Sequence, residues 1–343
     1  MKKITLVLIA VSLFSAVEAK EAAESKEPLL LSNDTWPPFI LEGTDQGTAE
    51  QLVCQALSLQ GWPCRVEVKD WEIVLQEARA GAIDGIAAAW RNPDREQYLL
   101  FSEPYLSNRI IPVISNRASF TVTSANSLAG LRVALVADYA YGETIEGLKP
   151  GFTTVTAKNS LDALKAVNSG KADAALVDEL VARNLLDDPV MQTLMMVDTV
   201  LAFRDLHFAV SRQHPRAQAV IADFQRGYKQ MLSDGSVNEI LNVDWLATDF
   251  GQSGKLNVVM RSGVSLDDLA PPTNDGEVFA LEASEYDLMR QRNLDPNRVN
   301  YQVDGKSYSN LQSALDDVFG KDTVCKHKNY TSQFDCTDLF KKN

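Results

Sequence analysis

A ten-residue phrase occurs twice in this chain, and it narrows the possible folds more than any other feature. LQEARAGAID (Leu75 to Asp84) and LKAVNSGKAD (Leu164 to Asp173) share a leucine, a glycine six residues on and an aspartate three further, at a constant offset of 89 residues. Each reads as a helix closed by a C-terminal glycine. An apolar run follows in both, IAAA in the first and AALV in the second. Short apolar runs of this kind suit buried strands of an α/β sheet. The repetition implies two similar lobes. The first strand runs out into Trp90 and Arg95, the second into Asp178 and Glu179. Ligands of open α/β sheets bind beyond the carboxyl ends of the strands. Facing lobes of this design offer a cation from one side and an anion from the other, a pairing that suits a zwitterion.

Flanking segments fit the same scheme. Thr48 and Gln51 have capping-box spacing, and Ala49, Leu52, Val53, Ala56 and Leu57 then share one helical face. Gly61 and Pro63 end that helix, and RVEV (Arg65 to Val68) reads as a strand. A second helix begins near Asp70 and ends at Gly81.

The first residues, MKKITLVLIAVSLFSAVEA, have the charged, apolar and small-residue zones of a cleaved signal peptide, residues 1–19. A flexible segment, 20–27, is expected after it. The expected location is the periplasm, with no membrane insertion. The formal charge of −13 argues against nucleic acid and anionic membranes as partners. The four cysteines form two close pairs, Cys54/Cys64 and Cys325/Cys336. In an exported chain these suggest two local disulfides. Two free buried thiols are the alternative for the first pair. A zinc site with His327 is the alternative for the second, but three candidate ligands fall short of the usual four.

NDTWPPF (Asn33 to Phe39), the Cys54/Cys64 pair, Trp71, GAIDG, PDREQYLLFSEPY, LAGLRVALV, SGKADAALVDE and LSDGSVNEILNVDW occur in an order and spacing that resembles the family 3, amino-acid class of periplasmic solute-binding proteins, the type II receptors of ABC importers. The resemblance covers about Pro28 to Phe250. It implies an α/β, two-lobed periplasmic-binding-protein type II fold with two crossover strands, near Arg109 to Asn116 and His207 to Ser211. Lobe 1 is expected at 28–115 and 208–250, and lobe 2 at 116–207. The resemblance also implies that Arg95 grips a ligand carboxylate, that Asp178 accepts an ammonium, and that Trp36, Phe39 and Trp71 line the pocket. A guanidinium matches a carboxylate bidentately, and a buried ammonium needs a carboxylate.

Two positions depart from the family pattern. Trp90 stands where a small hydroxyl residue is expected, and ADYAYG (Ala137 to Gly142) replaces a Gly-Thr-Thr type loop, bringing Asp138 and Tyr139 to the site. Structural roles compete with the binding roles. Arg95 can brace lobe 1 through Glu96 or Glu103, Asp178 and Glu179 can open a helix, and Trp36, Trp71 and Trp90 can be packing residues. His207 and His214 lack the partners of a metal site or triad. There is no G-x-S-x-G, HExxH or P-loop, and no metal or cofactor is called for.

The remaining 251–343 read as a small disulfide-stapled α+β appendage. LNVVM and EVFAL suit strands, Ser284 to Asn293 and Ser309 to Phe319 suit short helices, and VDGK suits a hairpin turn. The sequence does not give its role; a docking surface for a partner and an extra brace on lobe 1 are two alternatives. The expected function is capture of an amino-acid-like solute for an importer's membrane subunits, without chemistry. The alternatives are a periplasmic dehydratase on the same fold, or a sensor or accessory protein acting through the appendage.

Overall fold

The computed structural model describes residues 26–248, 256–272, 278–281, 299–330 and 334–336 of the 343. The expected signal peptide and the expected helix at 284–293 lie outside the described residues.

Lobe 1 opens with β1 (Leu29–Asn33), α1 (Thr48–Ser58), β2 (Cys64–Val68), α2 (Trp71–Ala80) and β3 (Gly85–Trp90). A short β4 (Leu99–Phe101) leads to β5 (Leu106–Ser115), the first crossover. Lobe 2 holds β6 (Arg132–Val136), α3 (Glu143–Leu148), β7 (Thr153–Ala157), α4 (Ser160–Asn168), β8 (Ala174–Asp178), α5 (Glu179–Leu186) and β9 (Leu194–Met196). The second crossover, β10 (Ala202–Ser211), returns to lobe 1 and to α6 (Ala217–Asp234) and α7 (Ser236–Leu241). Both crossovers are longer than the sequence suggests, because each strand spans both lobes.

The strand order β2-β1-β3-β10-β5-β8-β6-β7 joins the lobes through the antiparallel β10–β5 pair. Within each lobe the strands beside β1 and β6 run parallel. Every residue of β3 and of β8 is buried, as expected of strands covered by helices on both faces.

The repeated phrase has the same physical use in both lobes. Gly81 and Gly170 both take a left-handed conformation, φ 69° and 73°, that turns the chain from helix to strand. The aspartate that follows clamps the neighbouring parallel strand by two hydrogen bonds. Leu30 N–H donates to Asp84 Oδ2 at 2.7 Å, and Asp84 N–H donates to the Leu30 carbonyl at 2.8 Å. In lobe 2, Arg132 N–H donates to Asp173 Oδ2 at 2.8 Å, and Asp173 N–H donates to the Arg132 carbonyl at 2.7 Å.

The start of α1 differs from expectation. Gly47, not Thr48, is the capping residue, and no side-chain cap forms. Instead Thr48 N–H and Ala49 N–H donate to the Pro38 and Phe39 carbonyls at 2.9 and 3.0 Å. A Cβ on Gly47 would lie 2.1 Å from the Phe39 oxygen, so only glycine permits this approach. The second helix agrees with the sequence, with Asp70 before it and Gly81 after it. Lys26, in the segment expected to be free, donates to Gln60 O and Asp223 Oδ2 at 2.8 and 2.7 Å.

The appendage is a second sheet of β11 (Trp245–Thr248), β12 (Leu256–Met260), β13 (Val278–Ala280), β14 (Val299–Val303) and β15 (Lys306–Tyr308), in the order β13-β11-β12-β14-β15. Two helices follow, α8 (Leu311–Phe319) and α9 (Lys321–Lys326). The sheet therefore starts at Trp245, ahead of the boundary expected at 250. Alternation along β11 explains this: Trp245 and Ala247 join the appendage core, whereas Leu246 packs into the core of the main body with Val259 and Leu281. Asn238 of α7 donates to the Val259 carbonyl at 2.9 Å. The appendage is thus fused to lobe 1. Asp304 and Gly305 turn the VDGK hairpin with φ 45° and 76°. Cys54–Cys64 and Cys325–Cys336 are disulfide-bonded, and His327 faces Asp267 at 3.2 Å.

Candidate ligand-binding cleft

Arg95 lies in a single 3₁₀ turn, Arg95–Gln97, beyond the carboxyl end of β3, and is 3% exposed. Glu96 and Glu103, its alternative partners, are not what holds it: Glu96 pairs with Arg91. Its Nη1 donates to the Trp90 carbonyl at 2.6 Å and its Nη2 to the Asp138 carbonyl at 2.7 Å. The guanidinium stands 4.9 Å from the centre of the Trp71 ring, a cation–π arrangement. Burial lowers its pKa, opposed by Tyr98, Tyr139 and Asp34.

The cleft around it is lined by Asp34, Trp36, Trp71, Trp90, Arg95 and Tyr139, with Ala88 and Ala89 behind them. Asp34 follows β1, Trp71 opens α2 after β2, and Trp90 ends β3. Tyr139 follows β6 in lobe 2, so the site forms where strand ends of both lobes meet. The Tyr139 ring stands edge-on to Trp36, Trp71 and Trp90, at 6.0, 6.1 and 5.2 Å between centres. Its hydroxyl donates to Asp34 Oδ2 at 2.8 Å across the cleft. Burial raises Asp34 to about 6, against the lowering effect of the Tyr139 hydrogen bond. Burial, reinforced by the Asp34 charge, pushes the Tyr139 phenol well above its usual range.

Little space is left. The inner cavity is about 10 Å³, at the lower limit for one water molecule, whereas ligand pockets usually run to ~300–1,000 Å³. Outside it lies a groove of about 390 Å³ that shares Asp34 and Trp71 with the inner cleft and includes Lys69, Asp138, Lys158 and Asn159.

Of the residues singled out from sequence, Arg95, Trp36, Trp71, Trp90 and Tyr139 come together here. Phe39 supports the wall from behind, 4.9 Å from the Trp36 ring centre. Asp178 is buried but is not among the lining residues. It caps α5, its Oδ1 accepting from Leu180 and Val181 N–H at 2.9 and 3.1 Å. Burial raises it to about 7. Its neighbour Glu179 is held by Arg109 and Arg183. Asn108 connects Asp178 to the cleft wall: Trp90 Nε1 donates to Asn108 Oδ1 at 2.7 Å, and the Asn108 side chain bonds Asp178. Asp138 carries an exposed side chain; its backbone carbonyl is what reaches Arg95.

Sequence reasoning overlooked Asp34, although it lies in the quoted NDTWPPF. An acidic residue placed immediately after an apolar strand was the available signal. The Asp138 carbonyl left no signal, because main-chain acceptors are common to all residues.

The fold is a two-lobed α/β body with an aromatic-walled cleft holding Arg95 and Asp34 between its lobes. The family model for bacterial extracellular solute-binding proteins, family 3, matches residues 30–247, and the chain belongs to that family. It is 29% identical over 173 residues to the virulence sensor protein BvgS of Bordetella pertussis, covering 49% of this chain and 14% of that protein. It is 23% identical over 231 residues to the membrane-bound lytic murein transglycosylase F of Desulfosudis oleivorans, covering 64% of this chain and 49% of that protein. The chain thus spans less than half the length of these curated relatives. Among solved structures, a histidine kinase sensor domain with similarity to periplasmic binding proteins aligns with TM-score 0.57 at 19% identity, over 64% of this chain and 96% of that one. An ancestral arginine-binding protein bound to arginine aligns with TM-score 0.56 at 18% identity, over 64% and 98%. Among the described residues, no helix is long and apolar enough to cross a membrane.

Proposed function

We propose that this protein is a periplasmic, non-catalytic binding protein that takes a small amino-acid-like carboxylate at Arg95 and passes it to an ABC importer. The observation that carries this reading is a guanidinium, 3% exposed and stacked on Trp71, at the junction of two lobes. When the lobes part, Nη2 loses the Asp138 carbonyl and becomes available to a solute carboxylate, the stronger, charge-assisted acceptor. Asp34, rather than Asp178, accepts the solute's donor group. Catalysis is disfavoured because general acid–base chemistry needs a group within reach of the reacting atoms. Asp178, the acid at the strand end of lobe 2, is engaged by the backbone amides of its own helix.

The test is a melting-temperature screen with amino acids and related carboxylates. A binding solute raises the melting temperature by mass action, is recovered unchanged, and loses its effect in Arg95→Ala. Undiminished binding by that variant refutes the site.

A second reading, a ligand-responsive sensor or accessory protein, is favoured by one observation: around Arg95 the inner cleft holds about 10 Å³, and the larger groove of about 390 Å³ between the lobes lies outside it. A protein whose resting form is closed signals by opening, and both a sensor protein and a sensor domain are among the similar proteins. Solute-dependent uptake in cells distinguishes import from sensing.

A further inference from the structure

Two adjacent groups of lobe 2 enter the cleft, and each takes a partner in lobe 1. The Asp138 carbonyl accepts from Arg95 Nη2 at 2.7 Å and from Trp71 Nε1 at 3.5 Å. The Tyr139 hydroxyl donates to Asp34 at 2.8 Å, with its ring among three indoles. Asp138 holds φ 59°, a left-handed conformation uncommon outside glycine. Such strained positions persist only where surrounding contacts fix them, and they cluster at ligand clamps and switches. Trp36, another wall of the cleft, keeps Nε1 buried without a hydrogen-bond partner among the described residues. An acceptor on a guanidinium, a flat ring between indoles and a hydroxyl on a carboxylate are the contacts that a phenolic carboxylate would make. Here the chain makes them itself.

We propose that the Asp138–Tyr139 pair is a built-in occupant that closes the cleft without solute, and that the solute competing with it is a hydroxyphenyl carboxylate. The proposal rests on the reading of the cleft as a solute site and names the chemistry of its guest. The guest's carboxylate replaces the neutral Asp138 carbonyl at Arg95, and a charge-assisted hydrogen bond is roughly twice as strong as a neutral one. Its ring takes the slot of the Tyr139 ring, and its hydroxyl donates to Asp34. A small aliphatic amino acid leaves the ring slot empty, and the indoles that line it lose their contacts.

The occupant also lowers apparent affinity, since a solute binds only the fraction of molecules whose cleft is free. Removing the ring therefore opens the lobes and tightens binding together. The experiment measures small-angle scattering and binding of 4-hydroxyphenylacetate, phenylacetate and glycine to the parent, Tyr139→Ala and Tyr139→Phe. The parent is compact in buffer alone, and Tyr139→Ala has a larger radius of gyration. 4-Hydroxyphenylacetate restores compactness to Tyr139→Ala and binds it about tenfold or more tightly than it binds the parent. Phenylacetate is weaker, and glycine has no effect. Tyr139→Phe keeps the ring, loses the Asp34 bond and falls between parent and Ala variant. The built-in occupant is refuted if Tyr139→Ala is as compact as the parent. Should that variant not fold, a Tyr139→Phe protein as closed as the parent refutes it equally. Glycine closing the Ala variant as well as the phenol does refutes the solute class. Compactness in buffer is read with no solute present, so its failure is separate from failure of the Arg95 site, which shows only in solute binding.

Discussion

The two lobes are alike at the feet of their strands and unlike at the tops. At the feet, Asp84 and Asp173 make the same pair of hydrogen bonds to the next strand, with distances that agree within about 0.1 Å. At the tops, the 89-residue offset sets Ala89 and Trp90 of lobe 1 against Asp178 and Glu179 of lobe 2. Trp90 walls the cleft, whereas Asp178 turns inward to cap its own helix. Lobe 2 reaches the cleft instead from the loop after β6, through a backbone carbonyl and a phenol. The feet carry the demands of folding, which are the same for both lobes. The tops are free to differ because folding asks less of them, and there the two lobes divide the work: lobe 1 supplies the cation and lobe 2 closes on it.

The largest expected effect sharpens this contrast at Asp178. Its pKa is raised from 3.8 to about 7, with burial the first cause and the hydrogen bonds from Val181, Asn108 and Leu180 opposing it. A raised folded-state pKa contributes stability that is complete below about pH 4 and lost as pH rises through about 7. Asparagine is an equally good cap and does not ionise. Asp178→Asn is therefore expected to match the parent near pH 4 and exceed it at pH 8 by up to ~4 kcal/mol in urea unfolding. A gain that does not vary with pH would mean that Asp178 ionises in the folded protein as readily as in the unfolded chain, well solvated rather than buried.

Arg95→Ala comes next. It removes the donor from two carbonyls, one in each lobe, and the cation stacked on Trp71. Hydrogen bonds to charged groups contribute ~1.5–3 kcal/mol each, and the relief of unburying a charge offsets part of that. A loss of about 3 kcal/mol, with wider lobes in small-angle scattering, is expected. Lost stability without lobe opening would reduce Arg95 to a brace within lobe 1.

Much of this was legible in the sequence, and what was missed shares one cause. The repeated phrase located both lobes because its glycines and aspartates act within units contiguous in sequence. The Asp70-to-Gly81 helix and the VDGK hairpin were legible for the same reason. The start of α1 was not, since its amides are bonded by carbonyls from a loop ten residues earlier. The appendage boundary was hidden because β11 alternates between two cores. In the cleft, aromatic and arginine side chains drew notice. The Asp138 carbonyl and the placement of Asp34 opposite Tyr139 arise only when the lobes meet. Asp178 shows the converse error: a residue at the right strand end whose side chain is used locally.

Closure itself should respond to pH through Asp34. Tyr139 and Arg95 face it, and burial in the closed cleft raises it from 3.8 to about 6. Opening returns it to water and towards the lower value. Closure is thus favoured fully below about pH 4 and loses that support as pH rises through about 6, a change of about 2–3 kcal/mol. Small-angle scattering at pH 5 and pH 8 is expected to find more open molecules at pH 8. Asp34→Asn should flatten the response, and a profile unchanged by that substitution would assign the titration elsewhere.

The smallest effect bears on the likeness at the feet. Asp84→Ala and Asp173→Ala each remove one carboxylate acceptor from a strand amide, leaving the reciprocal backbone bond in place. Each is expected to cost ~1–2 kcal/mol. Because one continuous sheet joins the lobes, a single urea transition can report both. Asp173 also accepts two bonds from the half-exposed Arg132 side chain, Nε to Oδ2 at 3.1 Å and Nη2 to Oδ1 at 2.6 Å, a bidentate geometry that contributes up to ~1 kcal/mol even when exposed, so its loss should be greater by that amount. Repeating Asp173→Ala in an Arg132→Ala background removes that excess and should bring the two costs together. If one foot still proves more than twice as costly as the other, the lobes are not equivalent even where their hydrogen bonds coincide, and the difference between them begins in the folding unit rather than at the cleft.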